Sequence, residues 1–181
     1  MSSGKDRDRS DRRARFELLY EKHFDVLLAY ALRRADRETA YDAVGEAFLA
    51  VWRRLEDVPE DALPWLYGVI QRVLANQRRS SRRRRSLYSK LTLNRFDTST
   101  EPQLWPSLLS EALDGLSGRE REALMLTAWE GLDGNRAAAA LDISPVAFRV
   151  RLHRAKRRLA RELDRSEEPA PAVTPTAKEL P

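Results

Sequence analysis

Apolar residues in this chain return every three or four positions, with no convincing run of strict alternation, so the pattern predicts helices and no sheet. A first helix is expected over residues 16–34, with Phe16, Leu19, His23, Val26, Leu27 and Tyr30 along one side. A second, over 36–55, carries Ala40, Val44, Ala47, Phe48, Val51 and Leu55 as its apolar stripe. Pro59 and Pro64 bracket a short acidic loop. A third helix starts near Pro64, where proline suits the first turn, and runs through Leu66, Val69, Ile70 and Val73 into a series of arginines. Residues 81–106 mix serine, threonine and arginine with two prolines and hold no period, so they read as a flexible basic linker. Helical periodicity then resumes. Ser117-Gly118-Arg119-Glu120 has the form of a capping box and opens a helix bearing Ala123, Leu124, Leu126 and Trp129, ended by Gly131. The expected organisation is all-α: two small helical bundles, 14–80 and 107–163, joined by the linker. Tails at 1–13 and 164–181 are too polar, or too rich in proline and acid, to bury anything and are expected to be disordered.

The sharpest local signal lies in residues 133–159. A short alanine-rich helix over 135–141 meets a tight corner at Asp142-Ile143-Ser144, and a longer basic helix follows. Ser144 is a good N-cap and Pro145 a good first-turn residue. Phe148, Leu152, Ala155 and Leu159 are spaced by four, three and four and form one stripe to bury. Arg151, Arg154 and Arg158 share a second face, and Arg149, His153 and Lys156 a neighbouring one. This is helix-turn-helix spacing, with a second helix whose polar faces suit the major groove and whose arginines suit two-pronged contact with guanine or phosphate. The plainer alternative is a helical hairpin with a solvated basic face.

Charge distribution favours the nucleic-acid reading. The net charge is +5, but residues 71–90 hold eight basic side chains and no acidic one, and residues 145–165 hold eight basic and two acidic. Two local positive fields on an otherwise acidic body are the electrostatic footprint of nucleic-acid contact. Cysteine is absent and only His23 and His153 are histidine, which excludes a disulfide framework, a thiolate metal site and a histidine-rich one; residues 131–136, GLDGNR, lack the alternating oxygen ligands of a calcium loop, and no metal is expected. No apolar run approaches the roughly 20 residues of a membrane span, and the charged N-terminus has no signal-peptide core, so the chain is expected to work in the cytoplasm. No phosphate-binding glycine loop, carboxylate–histidine cluster or nucleophile elbow is present. No catalytic residue and no cofactor are expected.

Two further stretches carry a family resemblance. Residues 40–52, AYDAVGEAFLAVW, resemble the signature helix of region 2 in extracytoplasmic-function sigma factors, and residues 65–79, WLYGVIQRVLANQRR, resemble the family helix that opens the minus-ten element. The segment 113–159, ending in ISPVAFRVRLHRAKRRL, is similar to region 4, the minus-thirty-five reader. The resemblance covers 14–80 and 107–163 in the family's order. It implies a factor that binds core RNA polymerase, through the clamp helices of the largest subunit and the flap of the second-largest, and directs promoter-specific initiation. It further implies an anti-sigma factor as a partner. On this reading Asp42, Glu46, Phe48 and Trp52 face the polymerase; Trp65, Tyr67, Gln71, Arg72, Asn76 and Arg79 face the minus-ten DNA; and Ser144, Arg149, Arg151, His153, Arg154 and Arg158 face the minus-thirty-five DNA. The loop over 53–64 is the family's place for capturing an extruded base, and its carboxylates suit base amino groups.

Several positions depart from the family. Gly45 stands where glutamine is usual, and Gln71-Arg72 replaces a common arginine–asparagine pair. Asp142 holds a corner usually given to glycine; aspartate tolerates the left-handed conformation. Ala137 is smaller than the usual isoleucine and Phe148 larger than the usual valine, a volume exchange within one small core. The competing reading is a helix-turn-helix regulator whose N-terminal half is a sensing domain.

Overall fold

The computed structural model describes residues 3–89 and 107–167. Seven helices are found among them: α1 (Ser3–Leu32), α2 (Arg37–Arg53), α3 (Ala62–Ser89), α4 (Ser107–Asp114), α5 (Gly118–Ala128), α6 (Gly134–Ala140) and α7 (Pro145–Glu167). A single 3₁₀ turn, Leu55–Asp57, sits in the loop between α2 and α3. No strand occurs among the described residues.

Local chemistry fixes most boundaries. Asp36 caps α2 by accepting from the Thr39 amide at 2.9 Å and the Thr39 hydroxyl at 2.8 Å, which holds its carboxyl below the usual range. Ser117 and Glu120 form the complete capping box at the start of α5. Asp133 caps α6 by accepting from the amides of Asn135 and Arg136 at 2.8 and 2.9 Å. Gly131 takes φ +65 beyond the end of α5, which glycine adopts at little cost.

Three boundaries differ from expectation. The tail 1–13 is helical from Ser3, because α1 gains support there that apolar content does not reveal: Arg13 pairs with Glu17 one turn on, and Arg12 and Arg15 reach across to the α2–α3 loop. The expected linker begins later, since α3 continues through 81–89 on good helix formers; residues 90–106 lie outside the described residues. Likewise α7 runs to Glu167, past the expected end of the second bundle, and 168–181 lie outside the described residues.

α1, α2 and α3 enclose Leu27, Tyr30, Ala31, Ala43, Val44, Ala47, Val51, Leu66 and Ile70, all 1% exposed or less. α4–α7 close over Leu113, Met125, Phe148 and Ala155. These bundles do not stand apart. α3 packs along α6, and Leu126, Leu132, Ala137, Ala138 and Ala140 of the second bundle join the core of the first. Alanines on α6 permit this close approach.

Candidate nucleic-acid interface

α7 is held as the spacing predicts. The Ser144 hydroxyl accepts from the Ala147 amide at 3.1 Å, and Asp142 turns the corner at φ +54. Phe148 and Ala155 are fully buried and Leu152 and Leu159 half-buried, so the helix is pinned along one stripe. Its other faces are free of the bundle. Ser144, Arg149, His153, Arg154 and Arg158 are exposed and Arg151 is half-buried. Arg158 sits 3.6 Å from Glu120, whose carboxyl is held below the usual range by the Ser117 hydroxyl and amide first and by Arg158 and Arg154 after them. A groove beside it collects Arg154, Arg157, Arg158 and Arg161.

On α3 the expected set separates. Arg72, Asn76 and Arg79 are exposed and spaced by four and three, so they share one face, which Arg83 continues; Arg79 donates to the Asn76 side chain. Gln71 is half-buried, and Trp65 is half-buried against the core. Tyr67 is not available to DNA in this arrangement. Only 1% exposed, it packs on Tyr30 at 4.9 Å and points its hydroxyl at Glu130 at 3.5 Å. Burial, with Glu130 adding to it, pushes the phenol up to about 12. Tyr67 lies where α3 meets the second bundle, a fact that spacing within α3 cannot reveal.

On α2 the expected polymerase residues also divide. Asp42 and Glu46 are exposed and Trp52 is 39% exposed, but Phe48 is 3% exposed. Phe48 is the hub of an aromatic cluster, 4.7 Å from Tyr20, 6.1 Å from Phe16 and 6.4 Å from Phe24, and so supports the outer face without forming it. Two apolar residues that sequence reading passed over do form it: Tyr41 and Leu49, 44% and 57% exposed. Their signal was a spacing of eight on the same face as Gly45, where an added side chain would meet nothing within 4 Å.

Residues 19–84 match the model of Sigma-70 region 2, and residues 107–159 match that of Sigma-70, region 4. The ECF RNA polymerase sigma factor SigL of Mycobacterium tuberculosis is 31% identical over 149 residues, covering 78% of this chain and 84% of its own length. The RNA polymerase sigma-E factor of Streptomyces coelicolor is 31% identical over 153 residues, covering 82% of this chain and 85% of its own. The chain belongs to the extracytoplasmic-function sigma factor family. The fold agrees: the sigma factor RpoE of Bartonella quintana, solved with the anti-sigma factor NepR, superposes with a TM-score of 0.62 at 22% identity, covering 84% of this chain and 98% of that one. CnrH, solved with the cytosolic domain of CnrY, gives 0.59 at 25% identity, covering 84% and 89%.

As a sigma factor the protein binds core RNA polymerase and directs initiation at specific promoters. The sensing-domain reading falls away, because α2 and α3 are region 2. Among the described residues, no helix of this sigma factor is long and apolar enough to cross a membrane. The loop leading into α3 is tied to α1: Arg15 donates to the Val58 carbonyl at 2.9 Å, Arg12 to the Trp52 carbonyl at 2.7 Å, and both approach Glu56 at 3.8 and 4.0 Å. A groove opens between α1 and this loop, with Leu18, Leu19, Val58 and Pro59 as apolar walls and Arg15 and His23 among its polar groups. His23 is held below its usual pKa by burial, then by Lys22, against the pull of Asp61, so its ring favours the neutral form beside that groove.

Proposed function

We propose that this sigma factor docks on the polymerase clamp helices through the outer face of α2, reads the minus-ten element with α3 and the loop before it, and reads the minus-thirty-five element with the first turns of α7. The observation that carries this assignment is the survival of two separate exposed basic faces, Arg72–Asn76–Arg79 on α3 and Arg149–Arg154 on α7, after both bundles have buried their cores. The flap of the second-largest polymerase subunit is the expected contact of region 4. The sigma factor itself supplies binding energy and DNA distortion, in the cytoplasm, while polymerase performs the chemistry. An anti-sigma factor that masks the polymerase-binding faces is the expected inhibitor.

Two results test the division of labour. Replacing Arg149, Arg151 or Arg154 singly by alanine is expected to cost about 1–3 kcal/mol in holoenzyme affinity for minus-thirty-five DNA and to relax specificity at one base pair. Arg158, already beside Glu120, is expected instead to weaken binding evenly across sequences and to flatten its salt dependence. Binding titrations on a set of single-base variants separate the outcomes, and unchanged affinity in all four variants contradicts the assignment of α7.

The loop carries the second result. Reading an extruded base requires a pocket, and a straight helix face makes a poor one. Here the loop is irregular, fixed by Arg12 and Arg15, and beside a groove. Exchanging residues 55–63 for those of a relative with a different promoter is expected to change minus-ten preference and leave minus-thirty-five binding intact. If preference follows Gln71, Arg72 and Asn76 instead, the loop is a spacer.

A further inference from the structure

The loop between α2 and α3 is dense in carboxylates and is held from outside. Glu56, Asp57, Glu60 and Asp61 are exposed, while Leu55, Val58 and Ala62 are buried and pin the loop to the core at three points. Its own backbone bonds are short in range. The Asp57 amide donates to the Arg54 carbonyl at 2.9 Å, that of Val58 to Leu55 at 3.3 Å and that of Ala62 to Glu60 at 3.1 Å. Such bonds define a turn but do not fix its tilt against the bundle. Two arginines one turn apart on α1 supply what is missing. Arg12 donates to the Trp52 carbonyl in the last turn of α2 at 2.7 Å, and its guanidinium lies over the Trp52 ring, 5.2 Å from the centroid. Arg15 donates to the Val58 carbonyl at 2.9 Å. Both guanidiniums then converge on Glu56, at 4.0 and 3.8 Å from its two carboxylate oxygens.

Each contact meets a need that the loop does not meet locally. Carbonyls in the last turn of a helix lack a partner within it, and a cation there also suits the negative end of the helix dipole. Carboxylates crowded into residues 56–61 repel one another and repel DNA phosphates. Asp57 is relieved by Arg54 at 2.9 Å and Asp61 by Arg136 at 2.8 Å, and Glu56 by the pair from α1. These ion pairs add little to folding. The side chains of Glu56 and Arg15 are 72% and 45% exposed, and pairs so open to water are nearly neutral in stability. A base pocket is more demanding than a fold: support that lets it drift by about 1 Å costs it selectivity while the module stays folded. Arg12 and Arg15 also precede residue 19, where the match to region 2 begins.

We propose that Arg12 and Arg15 are positioning residues for promoter recognition: from α1 they brace the loop in the shape that admits an extruded minus-ten base, and so set how strictly that base is chosen. This role rests on the reading of the loop as the base reader. Both arginines act through the loop and not on the base. Arg15 fixes the wall that Val58 and Pro59 form opposite Leu18 and Leu19 in the adjoining groove, and Arg12 fixes the point where the chain leaves α2.

Holoenzyme assembled from core polymerase and the full-length chain tests the brace. It is titrated with fragments that join a minus-thirty-five duplex to a minus-ten single strand, in the preferred sequence and with each minus-ten base changed singly. Arg15→Ala and the double variant Arg12→Ala/Arg15→Ala are expected to cut discrimination at one minus-ten position about tenfold or more. Affinity for the minus-thirty-five duplex and the thermal midpoint of the free chain should stay at their wild-type values. Arg15→Lys keeps the charge and a donor, and is expected to recover part of the discrimination. Arg13→Ala is the control. It removes the same charge from the same helix, but Arg13 pairs with Glu17 within α1 at 2.7 Å, so discrimination should not change. In the free chain, hydrogen exchange at the Asp57 and Val58 amides should quicken at least about tenfold in the double variant and not in Arg13→Ala. Exchanging residues 55–63 for a relative's loop separates the brace from the reading beneath it. If that exchange redirects minus-ten preference while the double variant keeps wild-type discrimination, the loop reads DNA and the brace is refuted. If neither changes preference, the loop reading fails and the brace falls with it. Equal losses in Arg13→Ala and Arg15→Ala also overturn the brace, because helix charge alone would then account for the effect.

Discussion

Replacing Phe148 by alanine is expected to destabilise region 4 by about 3–5 kcal/mol, which for a module this small approaches its whole stability. The ring is fully buried near the start of α7, in one cluster with Leu132, Ala137 and Ala138, and a β-carbon on Gly134 would stand 3.9 Å from its Cδ1. It is the wedge that sets α7 against α6, so its loss removes the platform from which the arginines are presented. Chemical denaturation should show a transition at lower denaturant than that of the wild type, because Phe148 belongs to the core that both bundles share, and minus-thirty-five binding should be lost. The exchange of volume between positions 137 and 148 makes the claim sharper. Phe148→Val should leave a cavity, Ala137→Ile should overpack, and the two together should recover most of the loss, because they restore the filled volume. Simple additivity in that cycle would mean that the two side chains do not share one space.

The parts of this fold that were legible in the sequence are those set by chemistry within a few residues. Ser117 with Glu120, and Ser144, announced helix starts, and each cap is formed. Asp142 stands at the left-handed corner because a short polar side chain tolerates φ +54. What stayed hidden depends on partners far along the chain. Nothing local marks Arg34 as buried; its carboxylate partner Glu122 comes from 88 residues away. Tyr67 and Phe48 are aromatic residues at helical spacing, and spacing alone does not say which stripe a second bundle or a neighbouring aromatic will cover. The first turns of α1 lack apolar residues and so read as a tail, yet Arg12 and Arg15 engage the end of α2 and the loop after it, 40 and 43 residues on. Among the candidate site residues, Arg72, Arg79, Arg149, Arg154 and Arg158 stand exposed, because charge must find water, whereas Tyr67 and Phe48 are buried.

A second large effect is expected at the outer face of α2. Leu49, 57% exposed, stands beside Tyr41 and Trp52 in an apolar strip bordered by Asp42 and Glu46. A strip of this kind left uncovered is a docking surface in waiting, since fully desolvated aromatic and aliphatic anchors carry most of an interface's energy. Leu49→Arg places a charge at its centre. On the free protein the change should be nearly neutral, because the site is at the surface and Glu46 lies one turn back. Against core polymerase it buries an unpaired cation, which is expected to weaken association on the order of 100-fold or more, or about 3 kcal/mol. Matching effects on folding and on core binding would instead place Leu49 in the fold and not at an interface.

The central claim is that this protein confers promoter choice on RNA polymerase, and run-off transcription tests it most directly. Core polymerase, the purified full-length chain and a genomic fragment library serve as the reaction, with core alone, the chain alone and the Leu49→Arg variant as comparisons. The expected result is RNA beginning at a small set of sites that share one minus-ten and one minus-thirty-five sequence, seen with core plus the wild-type chain and lost with the variant. Initiation that is no more site-specific than that of core alone would contradict the account.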